Sequence, residues 1–447
     1  MAREKHTVPG AIYDARELGT PKMLILGLQH MFAMFGATVL VPTLTGLDVA
    51  TTLLFAGLGT LLFHLITKGK VPAFLGSSFA YLAGYSIIAP NGEASLLPYA
   101  CFAVAVSGLM YVILAAVVKS VGVKKVMRFF PPIVTGPIII SIGLILSSSA
   151  INNCNANWLV AVVAILVVIV CNMWGKGMVK IVPILIGVVA SYLVSMVIDP
   201  ASRAAVAAAV SEAKWFGVPI HFERTVFGLL SSDFDAGLLV TACFTIVPLA
   251  IATMMEHIGD ICAISSTVEE DFLVDPGLHR TLMGDGLATT LASLFGAPAN
   301  TTYGENTGVL ALSKVFDPKV IRLAAYFAMI LSFSPKFAAL INAMPTATIG
   351  GVSLVLYGMI SAVGVRNVVE NKVDFTNTRN VIIAALILVL SLGISTSTAG
   401  AVQIGIVKLS GLAVGSIVGI VLNAVLPGKD YEFQSEEDGA TSVNFKV

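Results

Sequence analysis

Apolar stretches long enough to cross a bilayer recur from residue 22 to residue 426, with short polar interruptions between them. A span needs about 20 predominantly apolar residues. Inside lipid the backbone must satisfy its own polar groups, so runs of this kind are read as helices. Of 447 residues, 57% are hydrophobic and 12% charged, with a mean hydropathy of +0.91. A soluble domain carries about 25% charge, so we expect an all-α polytopic membrane protein. Fourteen segments can be read, at 22–45, 49–67, 73–89, 97–118, 129–149, 157–174, 181–198, 236–260, 280–296, 299–315, 319–334, 346–365, 380–395 and 404–426. Pro335 to Pro345 leaves room for a further short helix.

The third segment (Pro72 to Tyr81 and beyond) and the tenth (Pro298 to Lys314) are short and rich in Gly, Pro, Ser or Thr. Each is expected to be a short extended piece feeding a half-helix. Broken backbone is tolerated in a bilayer only where protein or a cavity satisfies it. The run Asn300-Thr301-Thr302-Tyr303-Gly304-Glu305-Asn306-Thr307-Gly308 also places an acid there. An ionisable group at membrane depth is costly, so this is a candidate binding site.

Lys and Arg total 26, as do Asp and Glu, so the overall charge points to no nucleic-acid partner. The placement of the charges is more telling. Basic residues follow the second segment (Lys68, Lys70), the fourth (Lys119, Lys124, Lys125, Arg128), the sixth (Lys176, Lys180), the tenth (Lys314, Lys319, Arg322) and the twelfth (Arg366, Lys372, Arg379). The loops between, such as Pro90 to Pro98 and Ser147 to Asn157, carry none. The positive-inside rule then predicts a multi-pass protein with both termini cytoplasmic. The polar start, Met1 to Leu18, lacks an apolar core before a cleavage site, so no cleaved leader is expected. The five cysteines are scattered without a CxxC pair and read as small hydrophobes.

The expected organisation is a cytoplasmic tail (1–21), a first seven-segment repeat (22–198) and an external connection carrying a surface helix (199–235). A second repeat (236–426) and a cytoplasmic tail (427–447) complete it. Pro131-x4-Gly136 is like Pro345-x4-Gly350, Gln29-His30 is like Glu256-His257, and the two broken segments are also seven apart. An odd number of spans per half makes such a duplication inverted. Paired interrupted segments in inverted halves point to a transporter's substrate site.

Few ionisable groups lie within the spans: His30, His64, Glu256, His257, Asp260, Asp285 and Glu305. Glu256 and Asp260 share a helix face, about 6 Å apart along the axis. Two carboxylates so close in low dielectric cannot both ionise cheaply, which suits a proton carrier. Asp260 could instead sit at a helix end. Glu305 opens a half-helix whose first N–H groups lack intrahelical acceptors, and the N–H groups of Ser78 and Phe79 are expected to be similarly unpaired. Backbone donors beside carboxylates suit a planar neutral heterocycle with alternating C=O and N–H groups. Phe79, Tyr303 and Tyr357 could stack on its ring, or simply pack. His30 could bond a carboxylate or be a satisfied buried histidine, and His64 and Asp285 read as structural. Glu256-His257-x-x-Asp260 does not match HExxH. No metal, cofactor or catalytic nucleophile is expected, hence no enzyme.

These segments resemble the nucleobase/ascorbate transporter family, nearest its bacterial uracil-permease branch. The matching runs are Leu28 to Ala37, Leu75 to Ala80, Glu256 to Gly259, Asp275 to Arg280, Asn300 to Gly308 and Gly350 to Gly358. The resemblance implies a 7+7 inverted-repeat fold with core and gate domains, an elevator-like homodimer in membrane lipid, and proton-coupled uracil uptake. By position it implies that Glu256 and Glu305 bind the uracil ring, and that the N–H groups of Phe79 and Gly304 meet its carbonyls. Ala37, Tyr303, Ser353 and Tyr357 would line the pocket, with Glu305, Asp260 and His30 coupling the proton. A xanthine or urate symporter is the alternative, because purine members also tend to carry Asp where Asp260 stands. An anion transporter on the same fold is disfavoured by the two acids.

Overall fold

The structure, a computed structural model, describes residues 8–231, 234–405 and 407–428, without the side chains of Ile181, Ser231, Glu305 and Val407. The first half runs α1 (Thr20–Thr45), α2 (Val49–Ile66), β1 (Leu75–Ser77), α3 (Leu82–Ile88), α4 (Leu97–Val121), α5 (Val123–Met127) and α6 (Pro132–Cys154). It continues with α7 (Trp158–Trp174), α8 (Met178–Ile181), α9 (Pro183–Ile198) and a helix bent from it by 114°, α10 (Pro200–Glu212). The second half runs α11 (Ala236–Ile246), α12 (Ala250–Val268), α13 (Leu278–Leu294), β2 (Asn300–Thr302), α14 (Gly304–Ser313), α15 (Pro318–Ser332) and α16 (Pro335–Asn342). Then come α17 (Thr346–Glu370), α18 (Thr378–Thr396), β3 (Ala401–Ile404), β4 (Val407–Ser410) and α19 (Gly411–Val425).

Polar residues set many of the boundaries. Asp48, Asn157, Asp199, Asp235, Asp317, Ser334, Asn377 and Ser410 each accept a backbone N–H of the helix that follows. Such caps satisfy donors that have no acceptor within the helix. Among the described residues, seven helices are long and apolar enough to cross a membrane, or up to nine if each bent pair counts as one span. Large apolar side chains face outward on these helices, such as Val197, Ile330 and Val389, each more than 60% exposed. The molecule is a multi-pass membrane protein.

Two sequence expectations are corrected in detail. The eighth segment does not end at 260: α12 continues to Val268 after a one-turn 3-10 break at Val247–Leu249. The fourteenth does not begin as helix: Ala401–Ile404 and Val407–Ser410 pair as the antiparallel strands β3 and β4, and only α19 follows as helix. The fold is therefore mainly helical with two small sheets. The short helix after Ser334 and the helix after Asp199 are both present.

Two packing groups stand out. In one, α2 lies against α13 and α15, α4 against α11 and α13, and α1 against α15. In the other, α6 lies against α17 and α18, α7 against α9 and α17, and α18 against α19. The α4–α13 contact is close because both sides are glycine. A Cβ on Gly286 would lie 2.5 Å from the Gly108 carbonyl oxygen, and one on Gly108 would lie 2.5 Å from that of Gly286. Small residues let helix backbones approach where lipid supplies no hydrophobic drive for association.

Candidate substrate site

The third and tenth segments meet as a two-stranded antiparallel sheet. Leu75 pairs with Thr302, Gly76 with Thr301 and Ser77 with Asn300. Two further backbone bonds extend it, Tyr303 N to Phe74 O at 3.1 Å and Ser78 N to Ala299 O at 2.9 Å. The Ser78 N–H, expected to be unpaired, is thus consumed by the sheet. Neighbouring helices satisfy what remains. Thr60 on α2 donates to Leu75 O and accepts from Leu75 N, Thr289 on α13 donates to Asn300 O, and the Asn300 side chain donates to Phe55 O at 3.0 Å. That accounting lets non-helical backbone stay buried in the interior.

The sheet sets two chain ends differently. Only Tyr303 separates β2 from α14, so the unsatisfied N–H groups of that half-helix start directly at the sheet. In the third segment, Ser78 to Tyr81 form a turn and α3 starts only at Leu82, leaving Phe79 in the turn rather than on a helix end. The Tyr303 hydroxyl donates to Ser77 O at 2.8 Å, and Ser77 Oγ donates to Thr38 O at 3.0 Å, which ties α1 to the sheet. Gly76 is required by this crossing, since a Cβ there would fall 2.5 Å from the Tyr303 ring and 2.6 Å from Thr38 Oγ1.

A cavity of about 640 Å³ lies beside the sheet. It follows α12, α14 and α17, from Phe79, Glu256, Tyr303 and Gly304 toward Val8, Thr267, Lys314 and Glu370. Glu256 and Asp260 both line it, one helical turn apart, as a shared face requires. Asp260 is buried in mid-helix rather than at a helix end. Its Oδ2 accepts from Thr302 Oγ1 at 2.8 Å, and its Oδ1 lies 3.9 Å from the position a Cβ would take on Gly304. One acid is therefore held against the start of α14. Glu305 occupies the second position of α14, and its side chain lies outside the described residues.

The other candidates are set back. Tyr357 is buried behind Phe79, ring centroids 5.7 Å apart and nearly perpendicular. Ser353 is buried one turn before Tyr357 on α17, and Ala37 is buried on α1. None of these three is among the residues lining the cavity, whereas Phe79, Tyr303 and Gly304 are. His30 is fully buried and, among the described residues, meets Asn306: Asn306 Nδ2 donates to His30 O at 3.0 Å and lies 3.2 Å from His30 Nδ1. This fastens α14 to α1. His64 bonds Ala73 O at 3.0 Å, while Asp285 forms a fully buried pair with His257 at 2.7 Å that joins α13 to α12. Among the described residues no cluster suited to a metal ion occurs.

Thr302 and Asn306 were not singled out from the sequence. The strand register would have found Thr302, because Leu75 opposite it fixes which neighbours it faces; nothing local in the sequence reveals that Asp260 lies there.

A family model described as "Permease family" (Xan_ur_permease) matches residues 21–400. The chain is 39% identical over 429 residues to a uracil permease of Bacillus subtilis (strain 168), covering 92% of this chain and 94% of that protein. It is 37% identical over 412 residues to the uracil permease of Escherichia coli (strain K12), covering 90% of each. Among solved structures, the transmembrane domain of the cyanobacterial bicarbonate transporter BicA superposes with a TM-score of 0.60 at 12% identity. That alignment covers 93% of this chain and 99% of that domain, and it shows a common fold.

Proposed function

We propose that this chain, which belongs to the nucleobase/ascorbate transporter family, is a proton-coupled uracil importer of the cell membrane. The observation that carries the reading is a helix N-terminus beside the carboxylates of Glu256 and Asp260, which line one end of an elongated cavity. Uracil alternates C=O and N–H around a planar ring. The N–H groups opening α14 at Gly304 suit its carbonyls, and Glu256 suits its ring N–H groups. Phe79, backed by Tyr357, supplies an aromatic wall. The uracil permeases among its relatives support the choice of base.

Proton coupling follows from the charge balance. Glu256 and Asp260 line the cavity beside the start of α14, on which Glu305 is the second residue, and three negative charges near one another in a low dielectric would repel. A proton on Glu305, with Asp260 as its partner through α14, lowers that cost and admits a neutral base. His30 acts on the same helix through Asn306. Release of base and proton on the far side restores the charged site.

The alternation of access rests on the two packing groups. Pairing each segment with the one seven later exchanges α2–α15 with α13–α4, α7–α9 with α18–α19, and α6–α18 with α17–α7. This pattern supports fourteen segments in a 7+7 inverted repeat, with the site-bearing group as core and the other as gate. We take the core to move against the gate, in a homodimer. The basic residues Lys314 and Arg366 near the open end of the cavity favour a cytoplasm-facing state with cytoplasmic termini.

Labelled uracil uptake into proteoliposomes with an inward proton gradient tests this. Accumulation should stop when an uncoupler collapses the gradient. Uptake that ignores the gradient overturns the coupling, and stronger competition by xanthine than by unlabelled uracil overturns the choice of base.

A further inference from the structure

A second groove, of about 560 Å³, lies between the end of α4, α5 and α19, and shares Phe130 with the substrate cavity. Its apolar walls are Leu114, Val117, Val121, Phe129 and Ala424, and Lys125 and Arg128 sit on its rim. Both cations are exposed, and among the described residues neither forms an ion pair. No Asp or Glu occurs between Glu93 and Asp199, and α19 has none either. The local field is positive, with nothing in the walls to neutralise it.

The groove is continuous with an outward-facing apolar stripe. Leu109, Ile113, Val117 and Val121 recur every four residues on α4 and are 45%, 56%, 41% and 46% exposed. Residues four apart share one helix face. The cationic end is built rather than incidental. Arg379 Nη2 donates to Asn423 Oδ1 at 2.6 Å, and Asn423 Nδ2 donates to Arg128 O at 3.1 Å, so α18 and α19 fix the backbone that presents Arg128.

We propose that this groove holds one anionic phospholipid, with its phosphate between Lys125 and Arg128 and an acyl chain along the α4 stripe. Basic pockets between membrane helices select anionic headgroups in this way. The stripe distinguishes the occupant, because an acyl chain uses all of it. The chain's own acidic segment, Asp430 to Asp438, would use only the cationic end. The lipid bridges α4 of one packing group to α19 of the other.

The test is native mass spectrometry of the full-length protein released from nanodiscs of phosphatidylcholine mixed with phosphatidylglycerol. Wild type should retain phosphatidylglycerol in preference to phosphatidylcholine. K125Q/R128Q should lower that preference on the order of tenfold, while K176Q/K180Q should leave it unchanged. Glycerol phosphate, which lacks acyl chains, should not displace the lipid. Equal preference in wild type and K125Q/R128Q overturns the proposal. So does displacement by glycerol phosphate, or a preference that appears only after deletion of residues 429–447. Each readout is independent of uracil transport, and retention of the size-exclusion profile shows that the exposed substitutions leave the fold intact.

Discussion

The third and tenth segments share a backbone plan but differ in chemistry. Each has a three-residue strand leading toward a short helix, and the two strands are each other's partners. Yet Leu75 to Ile88 contains no Asp, Glu, Lys, Arg or His, whereas Glu305 and Asn306 open α14. The helices also start differently, with four residues between β1 and α3 but one between β2 and α14. The same contrast holds one element away, where His30 on α1 meets Asn306 while Glu256 and Asp260 on α12 line the cavity. Similar scaffolding on both sides thus holds the polar chemistry of one side. The third segment supplies sheet and aromatic wall, and the tenth supplies donors and acid.

That asymmetry can be broken experimentally. The largest effect is expected from Glu256→Gln or Glu305→Gln, which should each abolish uracil uptake while the protein still reaches the membrane. Initial rates near wild type in either would remove the acids from the mechanism. Next comes the bond that holds Asp260 against the start of α14. Thr302→Val should weaken uracil binding by about ten- to 150-fold, from roughly 1.5–3 kcal/mol for a lost bond to a charged group, and should move the pH dependence of uptake. Calorimetric titration measures the first, and initial uptake rates across pH measure the second.

Gly76→Ala tests the third segment's purely structural role. Its Cβ has no room beside the Tyr303 ring, so the cost should be on the order of 1–3 kcal/mol. It should appear as a lower melting temperature in detergent, with affinity changing less than in Thr302→Val. The reverse order would mean that the third segment tunes binding directly.

The smallest effect is expected at the N-terminal strap. Ile12 bridges to Val315, and Lys319 Nζ donates to Asp14 Oδ1 at 3.1 Å. The Arg16 backbone N–H first, and then Lys319, lower the Asp14 pKa to about 2. A depressed carboxylate contributes stability that is present above its ordinary range and lost as pH falls through about 2. Asp14 therefore keeps its charge throughout pH 5–8. Asp14→Asn should leave the pH profile of uptake there unchanged, and a shifted profile would place part of the coupling outside the site.

Much of the plan was legible in the chain. The two broken segments were visible as clusters of Pro, Gly, Ser and Thr within otherwise continuous apolar runs, because such clusters disfavour helix over several consecutive residues. Glu256 and Asp260 could be placed on one face because helical period is local. Other features were not legible. Ser78 was expected to offer a free N–H, but the carbonyl of Ala299, just before β2, takes it. For His30 the sequence left a carboxylate partner and a satisfied buried histidine equally open, and the packing of α14 on α1 brings Asn306 to it. The β3–β4 hairpin was hidden because its residues are as apolar as a span.

The sequence by itself determined that this chain lives in lipid, where it breaks, and which few acids lie within it. These follow from hydropathy, from turn-forming residues and from helical spacing, all of which act over short range. Only the tertiary structure decided which break faces which, that Thr302 holds Asp260, and that Ala37, Ser353 and Tyr357 stand back from the cavity. Those outcomes depend on strand register and helix packing between distant parts of the chain, and apolar runs of similar composition carry no label saying which neighbour each will meet.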